Sequence, residues 1–134
     1  MTHLLDTHAW IQRALGEPVP RLVDDILTRH ADTLAIADIS LWEAAKLVEL
    51  GRLELNVSLR DFFRLALSPE LTVLPVTPGV AERVVHLENE GFHKDPADQL
   101  IVATALVNGL CLVSDDSRIR QWGGVPILWR TSRK

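Results

Sequence analysis

Short apolar runs alternate with longer segments of helical period along this chain, and that alternation restricts its fold more than any single residue does. Residues 3–6 (HLLD), 34–37 (LAIA), 71–76 (LTVLPV), 110–114 (LCLVS) and 126–129 (PILW) read as strands. Residues 21–30, 40–51, 58–67, 77–89, 95–109 and 117–122 carry helical spacing or helix-start signals. Strands separated by helices imply βαβ units, hence an α/β fold with a mostly parallel sheet covered on both faces. The run LCLVS is apolar almost throughout, as a strand buried on both faces should be. A length of 134 residues fits a single domain, 1–134, able to bury about two-thirds of its surface.

In such sheets ligands bind beyond the carboxyl ends of the strands. Two acids follow strands there: Asp6 after HLLD, and Asp116, preceded by Asp115, after LCLVS. Glu43 in SLWE and Asp98 in DPAD lie near helix starts. If those helices return antiparallel to the strands, four carboxylates converge on one crevice. Clustered carboxylates repel one another and call for a cation. An all-oxygen donor set selects a hard ion, Mg2+ or Mn2+. Such an ion supports metal-assisted phosphodiester hydrolysis.

Each acid also has a purely structural reading. Ser40 and Glu43 match a capping box, in which the serine caps the helix and the glutamate reaches back. Asp95 before Pro96 reads as a helix cap, and Ser58 with Asp61 repeats the pattern where no site is evident. Asp6 and Asp116 fit ordinary loop acids after strands. Only the coincidence of four acids favours chemistry.

Charge and motif content narrow the options. A net charge of −4 gives no broad basic field, which argues against a nucleic-acid binder acting by charge alone. The only cysteine, Cys111, rules out an internal disulfide, suits a reducing compartment and reads as inert core. The first ten residues lack the pattern of a secretory signal. The apolar stretch from Leu100 to Val113 is too short and too broken to span a membrane, so a cytoplasmic protein is expected. No nucleophile elbow, phosphate-binding glycine loop or zinc-protease motif occurs. His8 and His93 lie near the acids and read as solvated residues that substrate can reach. Trp10, Trp42, Trp122 and Trp129 read as core or interface anchors, with base stacking by Trp10 as an alternative.

The segments LLDTHAWI, ISLWEAAKLVELGRLEL, HKDPADQLIVATALVNGLCLVSDD and GVPILW, running in order from Leu4 to Trp129, resemble the PIN-domain family, and within it the VapC-type toxins of bacterial toxin–antitoxin modules. The resemblance implies a PIN-like three-layer α/β/α fold with a mostly parallel central sheet of about five strands. It implies an Mg2+- or Mn2+-dependent endoribonuclease with Asp6, Glu43, Asp98 and Asp116 as catalytic metal ligands. Thr7, Ser40, Asp95 and Asp115 would steady those carboxylates, Asp95 mainly as the helix cap. Arg118 and Arg120, just past Asp116, and Lys46, one turn beyond Glu43, are placed to meet the RNA backbone, though ordinary solvated charge is the stronger reading of each. The expected partners are RNA, a cognate antitoxin and a second copy of the chain, with DNA reached only through the antitoxin.

Two positions depart from the family pattern: Gln99 stands where arginine is frequent, removing any charge pairing there, and Gln12 where an apolar residue is common. The alternatives are a non-catalytic PIN-like module that binds RNA or protein, and another α/β metal-dependent phosphatase. One such phosphatase pattern needs a second aspartate two residues after the first, and His8 stands there.

Overall fold

The computed structural model describes residues 1–129; the last five residues of the expected 1–134 domain lie outside the described part. Five strands form one sheet: β1 (His3–Leu5), β2 (Leu34–Ala37), β3 (Thr72–Leu74), β4 (Cys111–Val113) and β5 (Ile127–Leu128). Their spatial order is β3-β2-β1-β4-β5, and every pairing is parallel. The sheet is thus wholly parallel among the described residues.

Seven helices complete the described chain: α1 (Thr7–Leu15), α2 (Arg21–Arg29), α3 (Ile39–Glu49), α4 (Leu59–Ala66), α5 (Pro78–Leu87), α6 (Pro96–Asn108) and α7 (Ser117–Trp122). Helix α1 is not among the helices expected from the sequence.

Strand alternation sorts the helices into two layers. Leu4, Ala35, Ala37 and Leu112 face a core built with Val80, Leu87, Ile101, Val102 and Ile119, from α5, α6 and α7. Leu5, Leu34, Ile36 and Val113 point the other way, toward Trp10, Val23, Ala44 and Phe62 from α1 to α4. The result is three layers, α/β/α, as expected.

Helix α6 is the most deeply set. Asp95 caps it, Pro96 opens it, and Gly109, at φ 66°, ends it in the left-handed region that glycine adopts without steric cost. Its Ile101, Val102, Ala103 and Ala105 are buried. No described helix is long and apolar enough to cross a membrane.

Cys111 differs from its expected place. It lies at the start of β4 and is only half-buried.

Candidate active site

Parallel register pairs Leu5 with Val113, so the residues after β1 and β4 emerge side by side. Asp6 donates its backbone N–H to the Val113 carbonyl at 3.0 Å. Its carboxylate caps α1 by accepting from the Ala9 N–H at 2.8 Å. Beyond β4, the Oγ of the buried Ser114 accepts from the Asp116 N–H at 3.0 Å. Asp116 caps α7, its Oδ1 accepting from the N–H groups of Arg118 at 2.8 Å and Ile119 at 3.1 Å. Both strand-end acids are therefore helix caps that use one oxygen locally and keep acceptor capacity on the other.

The capping-box reading of Ser40 and Glu43 is overturned. Helix α3 begins at Ile39, which puts Ser40 inside it and Glu43 a full turn from Asp38, whose side chain makes no cap. Asp38 instead accepts from the Val76 N–H at 3.1 Å, tying the ends of β2 and β3 together. That leaves Ser40 free to meet Thr7 at 2.9 Å between hydroxyl oxygens, and Thr7 donates to Glu43 in a short hydrogen bond. A hydroxyl has one proton to give, so Ser40 is the donor to Thr7. A relay of two buried hydroxyls thus aims Glu43 from α3 by way of α1.

Asp98 enters from α6. Its N–H donates to the Asp95 cap at 3.1 Å. Its Oδ2 lies 2.7 Å from His93 Nε2 and 3.3 Å from Arg118 Nη2. His93 is accordingly no solvated loop residue: its ring stacks on Phe92 at 4.3 Å and braces Asp98. Gln99 holds the same loop, donating to the His93 carbonyl and to Glu88, each at 3.1 Å. Gln99 thus brings no charge of its own to this loop, and its amide bridges it by hydrogen bonds.

Asp6, Glu43, Asp95, Asp98 and Asp116 line one cavity of about 110 Å3, together with Thr7, His8 and Arg118. A larger cavity, about 590 Å3 between α1, α2 and α4, contains none of these acids. Burial pushes the Asp6 carboxyl up to about 6, against the pull of Ser114 and Ala9 and with a smaller push from Asp98. Glu43 is raised by burial and then by Asp98 and Asp95, with the Thr7 bond opposing. Asp98 is raised by burial and by Asp95 and Asp116, with the His93 bond opposing. The acids sense one another, which is the electrostatic condition a cation relieves.

Among the described residues, no three His, Cys, Asp or Glu side chains form a ready-made cage for a metal ion. The donor set and the space suit a hydrated cation instead. Mg2+ gives up water reluctantly and is commonly held by one or two carboxylates with water completing its shell. A cavity of about 110 Å3 has room for a few waters at roughly 30 Å3 each.

The remaining expected residues divide. Arg118 enters the acid cavity, 3.8 Å from Asp116 as well as close to Asp98. Asp115 is exposed and pairs with Arg120 at 3.4 Å, outside that cavity. Lys46 pairs with Glu49 on its own helix and does not line the cavity. Trp10 is buried, with its indole N–H on the Ala66 carbonyl at 2.9 Å, so base stacking by Trp10 is excluded. Ser114, His93 and Gln99 were not among the expected supports of the acids. Their nearness to Asp116 and Asp98 in the chain was the available signal, but their targets were not encoded locally.

Residues 3–125 match the sequence model of the PIN domain. The chain is 41% identical over 119 residues to Ribonuclease VapC22 of Mycobacterium tuberculosis, covering 89% of this chain and 90% of that protein. Its fold matches a DNA-bound VapBC from Salmonella typhimurium at TM-score 0.71 and 20% identity, over 96% of this chain and 97% of that one. It also matches VapBC2 from Rickettsia felis, bound to a promoter DNA fragment, at TM-score 0.70 and 18% identity, over 97% and 100% of the two chains.

Proposed function

This chain belongs to the PIN-domain family, and we propose that it is a metal-dependent endoribonuclease acting as the toxin of a toxin–antitoxin pair. One observation carries the reading: four carboxylates from four elements far apart in sequence line a single cavity at the carboxyl edge of a parallel sheet. The 41% identity to a protein named as a ribonuclease supports the substrate class. The fold shared with VapBC complexes supports an antitoxin partner.

In this proposal Asp6, Glu43, Asp98 and Asp116 hold Mg2+ or Mn2+, directly or through water. When bound, the cation supplies Lewis acidity, lowering the pKa of water and stabilising charge on the scissile phosphate and leaving oxygen. The protein's own share is positioning. Asp6 and Asp116 are fixed by the helices they cap, Glu43 by the Ser40–Thr7 relay, and Asp98 by Asp95 and His93. Arg118 lies among the acids, where it reaches an RNA phosphate if it swings off Asp98. Arg120 and Lys46 are peripheral backbone contacts. That Arg118 fits among the acids supports a basic antitoxin side chain doing the same. The assembled toxin is a cytoplasmic homodimer that reaches DNA only through its antitoxin.

The test compares unmodified and Asp98→Asn proteins on labelled RNA with Mg2+, Mn2+ or EDTA. Asparagine keeps the shape but is a poor ligand for a hard cation. Cleavage that needs the metal and disappears in Asp98→Asn is the expected result. Cleavage indifferent to EDTA, or retained in the variant, rejects the mechanism; RNA binding without cleavage selects the non-catalytic module.

A further inference from the structure

We propose that the cavity beside the acid cluster is a nucleobase subsite, receiving the base next to the scissile phosphate and preferring bases with an exocyclic amino group over uracil. This rests on the ribonuclease reading and names what that site recognises. The cavity has a volume of about 320 Å3 and is lined by Asp6, His8, Gln12, Asp115, Asp116 and Trp129. Asp6, His8 and Asp116 also line the acid cavity, so the two spaces adjoin. A nucleotide whose phosphate lies at the acids therefore directs its base into this neighbour.

Trp129 distinguishes the cavity. It follows β5, whose Leu128 carbonyl accepts from the Ser114 N–H at 3.3 Å, so the indole is held beside Asp115 and Asp116. Two other tryptophans are already engaged. Trp10 packs against Phe62 and Phe63, and Trp122 against Phe92. Their indole N–H groups reach the Ala66 and Glu90 carbonyls. Trp129 is half-buried, packs against the core that holds Trp10 and Phe62, and also lines this cavity. An indole that lines a cavity offers a platform on which any base can stack.

The polar lining selects further. Asp6, Asp115 and Asp116 bring three acids to the lining of the cavity, and among the described residues no lysine or arginine lines it. Of the lining acids Asp115 is not assigned to the metal, and its carboxylate and the Gln12 amide oxygen can accept from the amino groups of adenine, guanine or cytosine. Uracil has no amino group to offer: its only Watson–Crick donor is N3–H, set between two carbonyls that the same oxygens repel. Gln12, where the family pattern is apolar, makes no side-chain hydrogen bond among the described residues and is free for this contact.

The test uses Asp98→Asn protein with Mg2+, so that RNA is bound but not cut, and single-stranded hexamers carrying 2-aminopurine at each position in turn. One position is expected to be quenched by stacking. Trp129→Leu should abolish that quenching and weaken binding about ten-fold. Gln12→Leu should keep the quenching but reduce the preference for cytidine over uridine at that position. Failure of any hexamer to bind, quenching at no position, or quenching and affinity unaltered in a Trp129→Leu protein with a native melting transition overturns the proposal. If Trp129→Leu does not fold, the cytidine-to-uridine comparison decides alone: equal affinity overturns it. Binding and stacking as expected, with no EDTA-sensitive cleavage by the unmodified protein, rejects the nuclease reading and leaves the subsite standing.

Discussion

The starts of helices α4 and α6 are written in the same local grammar and end in different places. Ser58 caps α4 by accepting from the Asp61 N–H at 3.1 Å, and Asp95 caps α6 by accepting from the Asp98 N–H at 3.1 Å. Each helix thus carries an acid three residues after its cap. The Asp61 side chain is 56% exposed, with Arg64 at 3.9 Å as its ion-pair partner. The Asp98 side chain is 16% exposed and meets His93 and Arg118 in a cavity that it shares with four other acids. The cap sets where the helix begins. The body of the helix decides where its first turn goes. Helix α4 buries only Phe62 and Ala66, whereas α6 is sunk between the sheet and α5 and holds its head rigidly at the sheet edge.

The largest effect should come from exchanging each acid for its amide. Asp98→Asn is expected to lower RNA cleavage on the order of 100-fold or more, as losing a group that stabilises transition-state charge does, while Asp61→Asn leaves it unchanged. Equal losses in a gel assay of both variants would break the contrast.

Acidity offers a second probe, through the most buried of the clustered acids. Burial lifts Asp6 from an ordinary 3.8 to about 6 in the folded chain. The native state therefore holds the proton more tightly, and its stability is greatest below the unfolded value and falls as pH rises through about 6. The full displacement corresponds to roughly 3 kcal/mol. Urea melts of metal-free protein between pH 4 and 7 should show this decline, and Asp6→Asn should flatten it. A stability that rises over that interval in unmodified protein would contradict the buried, proton-holding site.

Removing the caps comes next. Ser58→Ala and Asp95→Ala should each cost about 1 kcal/mol of stability. Only Asp95→Ala should also slow cleavage, because it frees the turn that carries Asp98. Parallel loss of activity in both would show that helix stability, rather than carboxylate placement, governs the site.

The smallest effect is expected at the cations. Arg118 is 58% exposed, so its contact with Asp98 ranks as a surface ion pair of roughly 0.2–1 kcal/mol. Arg118→Gln should tighten Mn2+ binding about two- to five-fold by calorimetry, since a competing charge is gone. Arg64→Gln, beside Asp61, should leave it unchanged. Weaker Mn2+ binding in Arg118→Gln would make the arginine a support for the ligands.

Features with a local cause were legible in the chain. The caps at Ser58, Thr77 and Asp95 form as expected, because each needs only a side-chain oxygen and a backbone N–H three residues on. Strand identities were readable because Leu4, Leu5, Leu112 and Val113 are apolar on both faces. Ser40 was misread for the complementary reason. A serine three residues before a glutamate satisfies the capping rule, but its hydroxyl found a better partner in Thr7, 33 residues away. His93 was misread likewise: nothing in its neighbourhood reveals that the loop folds back to put its ring on Asp98.

The alternation of strands with helices, the caps at Ser58, Thr77 and Asp95 and the inventory of acids are therefore properties of the sequence, since short-range hydrogen bonds and apolar periodicity determine them, whereas α1 and the start of α3 were not legible there. Which acids meet was decided by the tertiary structure. Parallel pairing of β1 with β4 brings Asp6 beside Asp116, and burial of α6 brings Asp98 to them. Only there, at one crowded and half-desolvated edge, does a set of ordinary helix-start and loop carboxylates acquire a shared electrostatic field.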